Sequence, residues 1–509
     1  MRNIIHLKLQ LRKSSTKTSA IKFGKDGGMQ GLPSPSTFPE WAFQERSFFR
    51  YELLHQSNKS MARVGRIHTP HGIIDTPSYV PVATNAALKG VDFRIVDSNV
   101  EQTCERNESI RSADGTGTID TNNDTDNDTD SDSLSSSNLI FSNTYHLILH
   151  PGREIIRDAG GLHKFTGRNQ PFITDSGGFQ VFSLAYGSVQ AERNQTLETN
   201  TNANANANAN ANANANANAN ADEKTKVSVP TSELKRGHTV DKPYRNEESE
   251  DPVEVTEDGV HFTSYRDGSK IFLTPEITVD AQKDFGADII IPLDELPPHH
   301  ISRSTLQESV NRSHRWEARS LKRHLENVKD QAMYAVIHGG LDPELRTESV
   351  EYLTSLPFDG YAIGGSLGKN RDELKVLLDW MMPMFDIGHR RNKPRHLLGI
   401  ADEESIRNAV KQGIDTFDSC YPTKLGRHGT LLTPDGFIRI KQGKHVKSFG
   451  QKIDQDCECT TCKHYDRAYL HHLFKAKEPL AVMLGTEHNL FYMQNLMKRI
   501  RQDILNDKI

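Results

Sequence analysis

The chain has 509 residues, of which 35% are hydrophobic and 25% charged, with a net charge of −5 and only five cysteines. That length holds one large domain with additions or three average ones, and so few cysteines exclude a disulfide scaffold. No run of 18 apolar residues occurs, which excludes a membrane-spanning helix.

The first 25 residues contain Arg2, Lys8, Arg12, Lys13, Lys17, Lys22 and Lys25, with no acid before Asp26. Mixed with Ile4, Ile5, Leu7, Leu9 and Leu11, that is the composition of an organellar transit peptide, or equally of a basic leader that targets nothing. Residues 1–45 are therefore read as a disordered leader, with ordered sequence starting near Phe49. Residues 103–137 are acidic, Ser/Thr-rich and nearly free of large apolar side chains, so they cannot bury enough surface to offset chain entropy. A second polar stretch, 187–256, contains ten consecutive Asn-Ala pairs at 202–221. Both are read as disordered surface insertions, which a folded core tolerates because long loops add little closure cost. Residues 101–137 carry a net −8 and 187–258 a net −6, so the remainder of the chain is +9. A mildly basic folded part permits a polyanionic partner.

Outside the insertions a rhythm repeats. Short apolar runs end in Gly, Asp, Asn or His and are followed by helix-like stretches. The runs are Leu139-Ile140-Phe141, Pro171-Phe172-Ile173, Asp288 to Ile291, Tyr334 to Ile337, Tyr361-Ala362-Ile363, His396 to Ile400 and Thr416-Phe417, with helical patterns such as 303–328 and 403–413 between them. Strands apolar on both faces that alternate with helices form a parallel sheet covered on both sides. At least seven such units over about 370 residues favour a closed (β/α)8 TIM barrel, α/β in class. The residues just after each strand would line one rim: Asn143, Asp175, Asp294, His338, Gly364-Gly365 and Asp418.

Three rim carboxylates draw chemistry. Asp175 stands in FITDSGGFQVFS (172–183), where two glycines allow close backbone approach to a ligand and Gln180 offers an amide to a base edge. The plainer reading makes Asp175 a helix cap. Asp418, in DTFDSCYPTKLGRHG (415–429), is followed by Thr423, Lys424, Arg427 and His428, donors suited to phosphates. Two carboxylates at one rim suit glycosidic exchange, one attacking the anomeric carbon and one moving the proton of the departing group. Asp294, in IIIPLDELPPHH (289–300), can accept two N–H donors from a guanine-like ring, on which Phe179 could stack; for Phe179 core packing is the plainer reading.

Near the C-terminus Cys457, Cys459 and Cys462 are followed 26 positions later by His488. Three thiolates and one imidazole are the ligand set of a closed tetrahedral zinc site; four protein ligands leave no position for water, so one structural Zn²⁺ is expected and the chemistry lies elsewhere. An accidental cluster in an exposed loop is the alternative. The zinc-binding subdomain would occupy about 440–495, within a barrel unit spanning 46–509.

The chain resembles the tRNA-guanine transglycosylases. The matching stretches are RVGRIHTPHGIIDTPSYVPVATNAALKG (63–90), FSNTYHLILHPG (141–152), FITDSGGFQVFSL (172–184), DGVHFTSYRDGSKIFLTPE (258–276), DIIIPLDE (288–295), GYAIGG (360–365), TFDSCYPT (416–423), and CECTTC with GTEHNL (457–490). The resemblance implies a TIM barrel that exchanges guanine at the tRNA wobble position for a 7-deazaguanine. It implies Asp418 as the nucleophile on ribose C1′, Asp175 as the general acid/base, and Asp294 and Gln180 as readers of the base, helped by the Gly364-Gly365 backbone and His338. Phe179 would stack on the base and Ser176 would orient it. Thr423, Lys424 and Arg427 would hold the anticodon loop, and the zinc would pin the C-terminal helices to the barrel. The implied partners are queuine or guanine, tRNAs of the Asp, Asn, His and Tyr type with GUN anticodons, and a second subunit, either another copy or a non-catalytic homologue. The implied compartment is the cytoplasm, or an organelle if the basic leader targets one.

Several positions depart from the family pattern. The family's FDC after the nucleophile reads Phe417-Asp418-Ser419-Cys420, His338 replaces a usual glutamine, and GGSLGKN (364–370) replaces GGLAVGE or GGLSGGE. Small Gly368, where bacterial enzymes limit the pocket, and Phe179 in place of the bacterial tyrosine favour queuine over its aminomethyl precursor. A bacterial-type enzyme using that precursor, and a non-catalytic tRNA-binding subunit, are the alternatives. Non-catalytic relatives lose the nucleophile, whereas this chain keeps Asp175, Asp294 and Asp418. The archaeal branch carries extra RNA-binding domains, and the chain has only 21 residues after His488.

Overall fold

A computed structural model describes residues 31–97, 137–185, 253–298 and 301–509. Eight short strands in it form one closed parallel barrel: β1 (Ser78–Ala83), β2 (Ile140–Ser142), β3 (Phe172–Thr174), β4 (Ile289–Ile290), β5 (Ala332–Ile337), β6 (Gly360–Ile363), β7 (Arg395–Leu397) and β8 (Thr416–Ser419). Each strand pairs with the next, and β8 closes on β1 through the register Asp418↔Val80. The expected (β/α)8 barrel is the observed one. β1 is the strand that the apolar rhythm did not mark.

The strands are apolar on both faces because each face is buried. Val80, Phe141, Ile173, Ile289, Val336 and Ala362 fill the barrel, while Ile140, Phe172, Ile290, Ile337, Ile363, Leu397 and Phe417 pack outward under the helices. The strand-to-helix turns end in capping side chains. Asn143, Ser302, Asp342, Asn370 and Asp402 each accept a backbone N–H from the first turn of the helix that follows.

The other mouth of the barrel is closed by an antiparallel sheet of Arg50–Gln56, Arg63–Thr69 and Gly72–Thr76, whose Tyr51, Ile67 and Ile74 join the barrel-interior cluster. Two buried carboxylates tie this cap down. Asp288 receives the Phe172 amide at 2.9 Å and His71 Nδ1 at 2.7 Å, with His163 Nε2 at 3.2 Å, and these donors hold its carboxyl below the usual range despite burial. Asp415 takes Arg63 on both oxygens, at 2.8 and 2.5 Å, Tyr51 Oη at 3.0 Å and the Arg395 amide at 2.7 Å.

Two boundaries differ from the sequence reading. Ordered structure begins before residue 46: Leu32, Phe38 and Ala42 are buried, Tyr352 Oη donates to the Pro33 carbonyl, and Arg46 pairs with Asp359. Those three apolar side chains lie in a segment otherwise read as polar leader, and residues 1–30 lie outside the described residues. The insertions 103–137 and 187–256, with the Asn-Ala repeat, also fall mainly outside them. The last part of the second does not: Val253–Val255 pairs with Val260–Thr263, which pairs with Lys270–Leu273, in a second antiparallel sheet. Alternate Val253 and Val255 pack beside Phe262, Leu293 and Trp316, so the composition of the acidic stretch hid a strand at its end.

Asp415→Ala strips four donors of their acceptor and leaves Arg63 buried without a counter-charge. The expected loss is about 3–5 kcal/mol, read from urea unfolding; a loss below about 1 kcal/mol would show that the tie is dispensable.

Candidate active site

Asp175 follows β3 and is set by the two glycines after it. Gly177 has φ +82°, and a Cβ there would lie 2.9 Å from the Tyr145 amide nitrogen; a Cβ on Gly178 would lie 2.8 Å from the Asp294 carbonyl oxygen. The Asp-Ser-Gly-Gly turn is thus wedged between the ends of β2 and β4, a fit only glycine permits. One Asp175 oxygen accepts the Thr144 amide at 2.7 Å, the other the Asn143 side-chain amide, and Gln180 adds a further hydrogen bond. The alternative in which Asp175 caps its own following helix is not what the structure shows. Burial pushes the Asp175 carboxyl up to about 7, the Thr144 and Gln180 donors offset part of that, and the charges of Asp418 and Asp294 add to it. The charges of both carboxylates reach it, so the three lie near one another at the rim.

Asp294, just after β4, is likewise pushed up to about 7, chiefly by burial, against the opposing Ser176 hydroxyl. Ser176 Oγ lies 3.4 Å from Asp294 Oδ1, and His338 Nε2 lies 3.6 Å from Asp294 Oδ2. His338 ends β5 and is buried, with burial pushing its imidazole well below the ordinary value, so it stands neutral. Glu317 Oε1 lies 3.3 Å from the same Nε2, while Glu317 Oε2 accepts the Val336 amide at 2.8 Å. Gly365, at φ +71°, lets the chain pass beside the His338 ring, and Gly364 packs on Val336. A cavity of about 340 Å³ opens beyond His338 and Gly365, bordered by Glu295, Arg303, Ser313 and Ser366.

Asp418 stands on β8, where the strand period turns it and Thr416 into the barrel and Phe417 out. Its Oδ1 accepts the Gly399 amide at 2.9 Å and faces His396 Nε2 at 3.1 Å. The sequence reading therefore missed two neighbours. Glu317 was legible as the one carboxylate in the buried stripe Val310, Ser313, Glu317, Leu321 of the helix Arg303–Leu325. His396 was legible as a histidine opening an apolar run.

The remaining expected residues sit as follows. Phe179 is 47% exposed at the rim, so core packing does not describe it. Lys424 is exposed and Arg427 half-buried on the helix Tyr421–His428 that leaves β8. Thr423 turns inward instead, its hydroxyl donating to the Cys420 carbonyl at 3.0 Å, and is not at the surface. Gly368 does not widen the site: at φ +98° a Cβ there would meet Glu373 Cβ at 2.7 Å, so the small residue answers to its turn and to Glu373.

Cys457, Cys459, Cys462 and His488 are all buried and their ligand atoms lie within 4.8 Å of one another. The three sulfurs are 3.7, 3.5 and 3.4 Å from His488 Nδ1. A tetrahedral ion with ordinary metal–sulfur and metal–nitrogen bonds sets that edge at about 3.6 Å, so the four residues fit one. His488 Nε2 donates to the Leu432 carbonyl at 2.8 Å, which leaves Nδ1 free to ligate. The cluster is not an exposed loop; it is part of a small core with Leu431, Ile440, Leu470 and Leu473.

The family model described as queuine tRNA-ribosyltransferase matches residues 119–222 and 243–509. The chain is 45% identical over 466 residues to the queuine tRNA-ribosyltransferase of Protochlamydia amoebophila, covering 92% of this chain and 98% of that one. It is 43% identical over 464 residues to the protein of that name from Chlamydia caviae and 44% identical to that from Chlamydia felis, each covering 90% of this chain and 99% of the relative.

Cys459→Ser removes one thiolate from the four-ligand cluster. Elemental analysis is expected to find about one metal ion per chain in the parent and almost none in the variant, with a lowered melting temperature; full metal content in the variant would refute the ligand set.

Proposed function

The chain belongs to the queuine tRNA-ribosyltransferase family, and from that premise we propose that it replaces guanine at the wobble position of GUN-anticodon tRNAs by queuine, through a covalent ribosyl-aspartate. It is a pentosyltransferase of tRNA-guanine transglycosylase type. The observation that carries the residue roles is the convergence of Asp175, Asp294 and Asp418 at one barrel mouth, with Asp175 sensing the charge of both others.

Asp418 is the nucleophile. Its Oδ2 attacks ribose C1′ as the bond to guanine N9 breaks, and the base leaves with that electron pair. Asp175, poised near neutrality, gives the departing base a proton and takes one from the incoming base, the double role for which a carboxyl needs a raised pKa. Asp294 reads the guanine edge as an ionised acceptor, with Ser176, Gln180 and the Gly364-Gly365 backbone around it and neutral His338 alongside. Phe179 supplies a stacking face. Because each half-reaction inverts C1′, the ribosyl configuration is retained. One N-glycosidic bond replaces another, so no energy cofactor is required.

Queuine is favoured over its aminomethyl precursor by the room of the cavity beyond His338 and Gly365, whose apolar wall of Ile301, Leu306 and Val310 suits a carbocyclic substituent and whose Ser313, Ser366 and Glu295 suit its hydroxyls. Lys424 and Arg427 hold the anticodon-loop backbone. The metal of the Cys457, Cys459, Cys462 and His488 cluster is one structural Zn²⁺, whose filled coordination keeps it out of the reaction. The tRNAs are those of the Asp, Asn, His and Tyr type, and the second subunit is another copy or a non-catalytic homologue. Among the described residues no helix is long and apolar enough to cross a membrane.

Asp418→Ala is expected to bind tRNA but to form no denaturation-resistant RNA complex on a gel; such a complex in the variant would remove Asp418 from the nucleophile's role. Base affinity gives a second test. Asp294 offers both oxygens as acceptors to two N–H donors only when ionised, and its carboxyl sits at about 7. Guanine affinity, measured by calorimetry, should therefore fall as pH drops below about 7, by up to about tenfold per unit, and hold above it. Asp294→Asn should remove that limb. A parent affinity constant from pH 5.5 to 8 would contradict the assignment.

A further inference from the structure

Asp418 has two oxygens, and the fold treats them differently. Oδ1 is committed to two donors: the Gly399 amide at 2.9 Å and His396 Nε2 at 3.1 Å. His396 is fully buried inside the barrel, its ring stacked on Phe141 with centroids 6.1 Å apart. On its other side His396 Nδ1 lies 2.8 Å from Thr416 Oγ1. Register and strand period build this chain. His396 on β7 is the direct neighbour of Thr416 on β8, and Asp418 is two residues further along the same inward face. A carboxylate only accepts hydrogen bonds, so Nε2 must carry the proton; in a neutral ring Nδ1 is then bare and takes the Thr416 hydroxyl. Gly399, at φ +74°, adopts the turn that brings its amide to the same oxygen.

We propose that His396, its tautomer fixed by Thr416, is a positioning residue that reserves Asp418 Oδ2 for the ribose and makes the carboxylate a better leaving group when the incoming base arrives. The inference rests on Asp418 as the nucleophile. In the first half-reaction the Oδ2–C1′ bond forms and the C1′–N9 bond of guanine breaks. In the second the N9 of the incoming base bonds to C1′, the Oδ2–C1′ bond breaks, and its electron pair returns to Asp418; the N9 proton goes to Asp175. The covalent species is a neutral ester whose carbonyl is Oδ1, and the free species is an anion. A hydrogen bond to a carboxylate is about twice as strong as one to a neutral carbonyl. His396 therefore stabilises the free carboxylate more than the ester, so its removal should impede breakdown of the intermediate and not its formation.

The test uses the full-length enzyme with a labelled anticodon stem-loop RNA carrying guanine at the wobble position. Incorporation of labelled guanine reports turnover, and the denaturation-resistant RNA adduct reports the intermediate. In His396→Phe the steady-state adduct fraction is expected to rise, and turnover to fall, each by about tenfold. His396→Gln, which keeps an N–H donor, should restore turnover to within about threefold of the parent, and Thr416→Val should shift both readouts in the direction of His396→Phe. If His396→Phe does not fold, Gln and Val still decide: a Gln variant as impaired as an unfolded core, or a Val variant identical to the parent, overturns the proposal. So does a parallel loss of adduct and turnover in His396→Phe, which would mean the histidine serves packing or the first step. Failure of the underlying reading looks different: no adduct in the parent, or an adduct in Asp418→Asn, removes the nucleophile, and the inference falls with it.

Discussion

The barrel depends on one buried carboxylate three residues before Asp418. Asp415 is fully buried at the start of β8, the strand whose pairing with β1 closes the cylinder. Its side chain joins Arg63 and Tyr51 of the closing sheet to the Arg395 amide of β7, and its carbonyl accepts the Ser78 amide at the start of β1. Four separate segments therefore meet on one residue. Arg63 in turn donates to the Arg391 and Lys393 carbonyls and lies over the Tyr51 ring, so both charges are compensated away from water. A buried ion pair contributes little net stability over an apolar substitute, but losing half of one is costly. What such a pair does here is fix register. A slip of one residue in β8 would exchange Asp418 for Phe417 at the inward face.

Above that anchor, the rim is an environment that disfavours charge, filled with carboxylates. Asp175, Asp294 and Glu317 all have their carboxyls pushed up by burial, and each carries backbone or side-chain donors too few to cancel the effect. The ordering among the groups matters more than any one shift. Asp294 and Glu317 both face Nε2 of a neutral His338, and the charge of Asp294 adds to the effect of burial on Glu317.

Much of this was legible in the sequence because the signals were local. Apolar runs ending in polar residues gave seven of the eight strands, and the residue after each run gave Asp175, Asp294, His338 and Asp418. β1 was missed because Pro81 stands in the middle of Ser78–Ala83 and splits Tyr79-Val80 from Val82-Ala83, and a central proline argues against a strand. Leu32, Phe38 and Ala42 were missed because the apolar residues of 31–45 follow neither a helical nor a strand period and are interrupted by prolines. Two other errors concern direction. Thr423 lies in a donor-rich stretch, but its helix turns it inward; Gly368 is small, but its missing side chain points at Glu373 and the extra room lies instead beyond His338. Glu317 and His396 are far from the carboxylates in sequence and meet them only through strand register and helix packing. A one-dimensional reading identifies what stands at a rim and not what stands behind it.

The cluster of Cys457, Cys459, Cys462 and His488 connects to the site through that same logic of support. His488 and Asn489 sit side by side on the helix Pro479–Leu505. His488 faces the three thiols, while Asn489 accepts the Leu432 amide and donates to the Pro422 and Thr430 carbonyls, the first of which belongs to the helix leaving β8. The two helices approach so closely that a Cβ on Gly426 would lie 2.4 Å from the Gly485 carbonyl oxygen, and one on Gly485 2.6 Å from that of Gly426. Only paired glycines allow that backbone contact. A metal holding His488 therefore fixes the rotation of the C-terminal helix, the glycine contact passes that orientation to the helix carrying Lys424 and Arg427, and that helix begins at Tyr421, three residues after Asp418. The succession along the chain of Asp418, cation-bearing helix, thiol cluster and clamping helix is one mechanical unit. A metal at its far end would fix a segment whose apolar core is too small to fix itself.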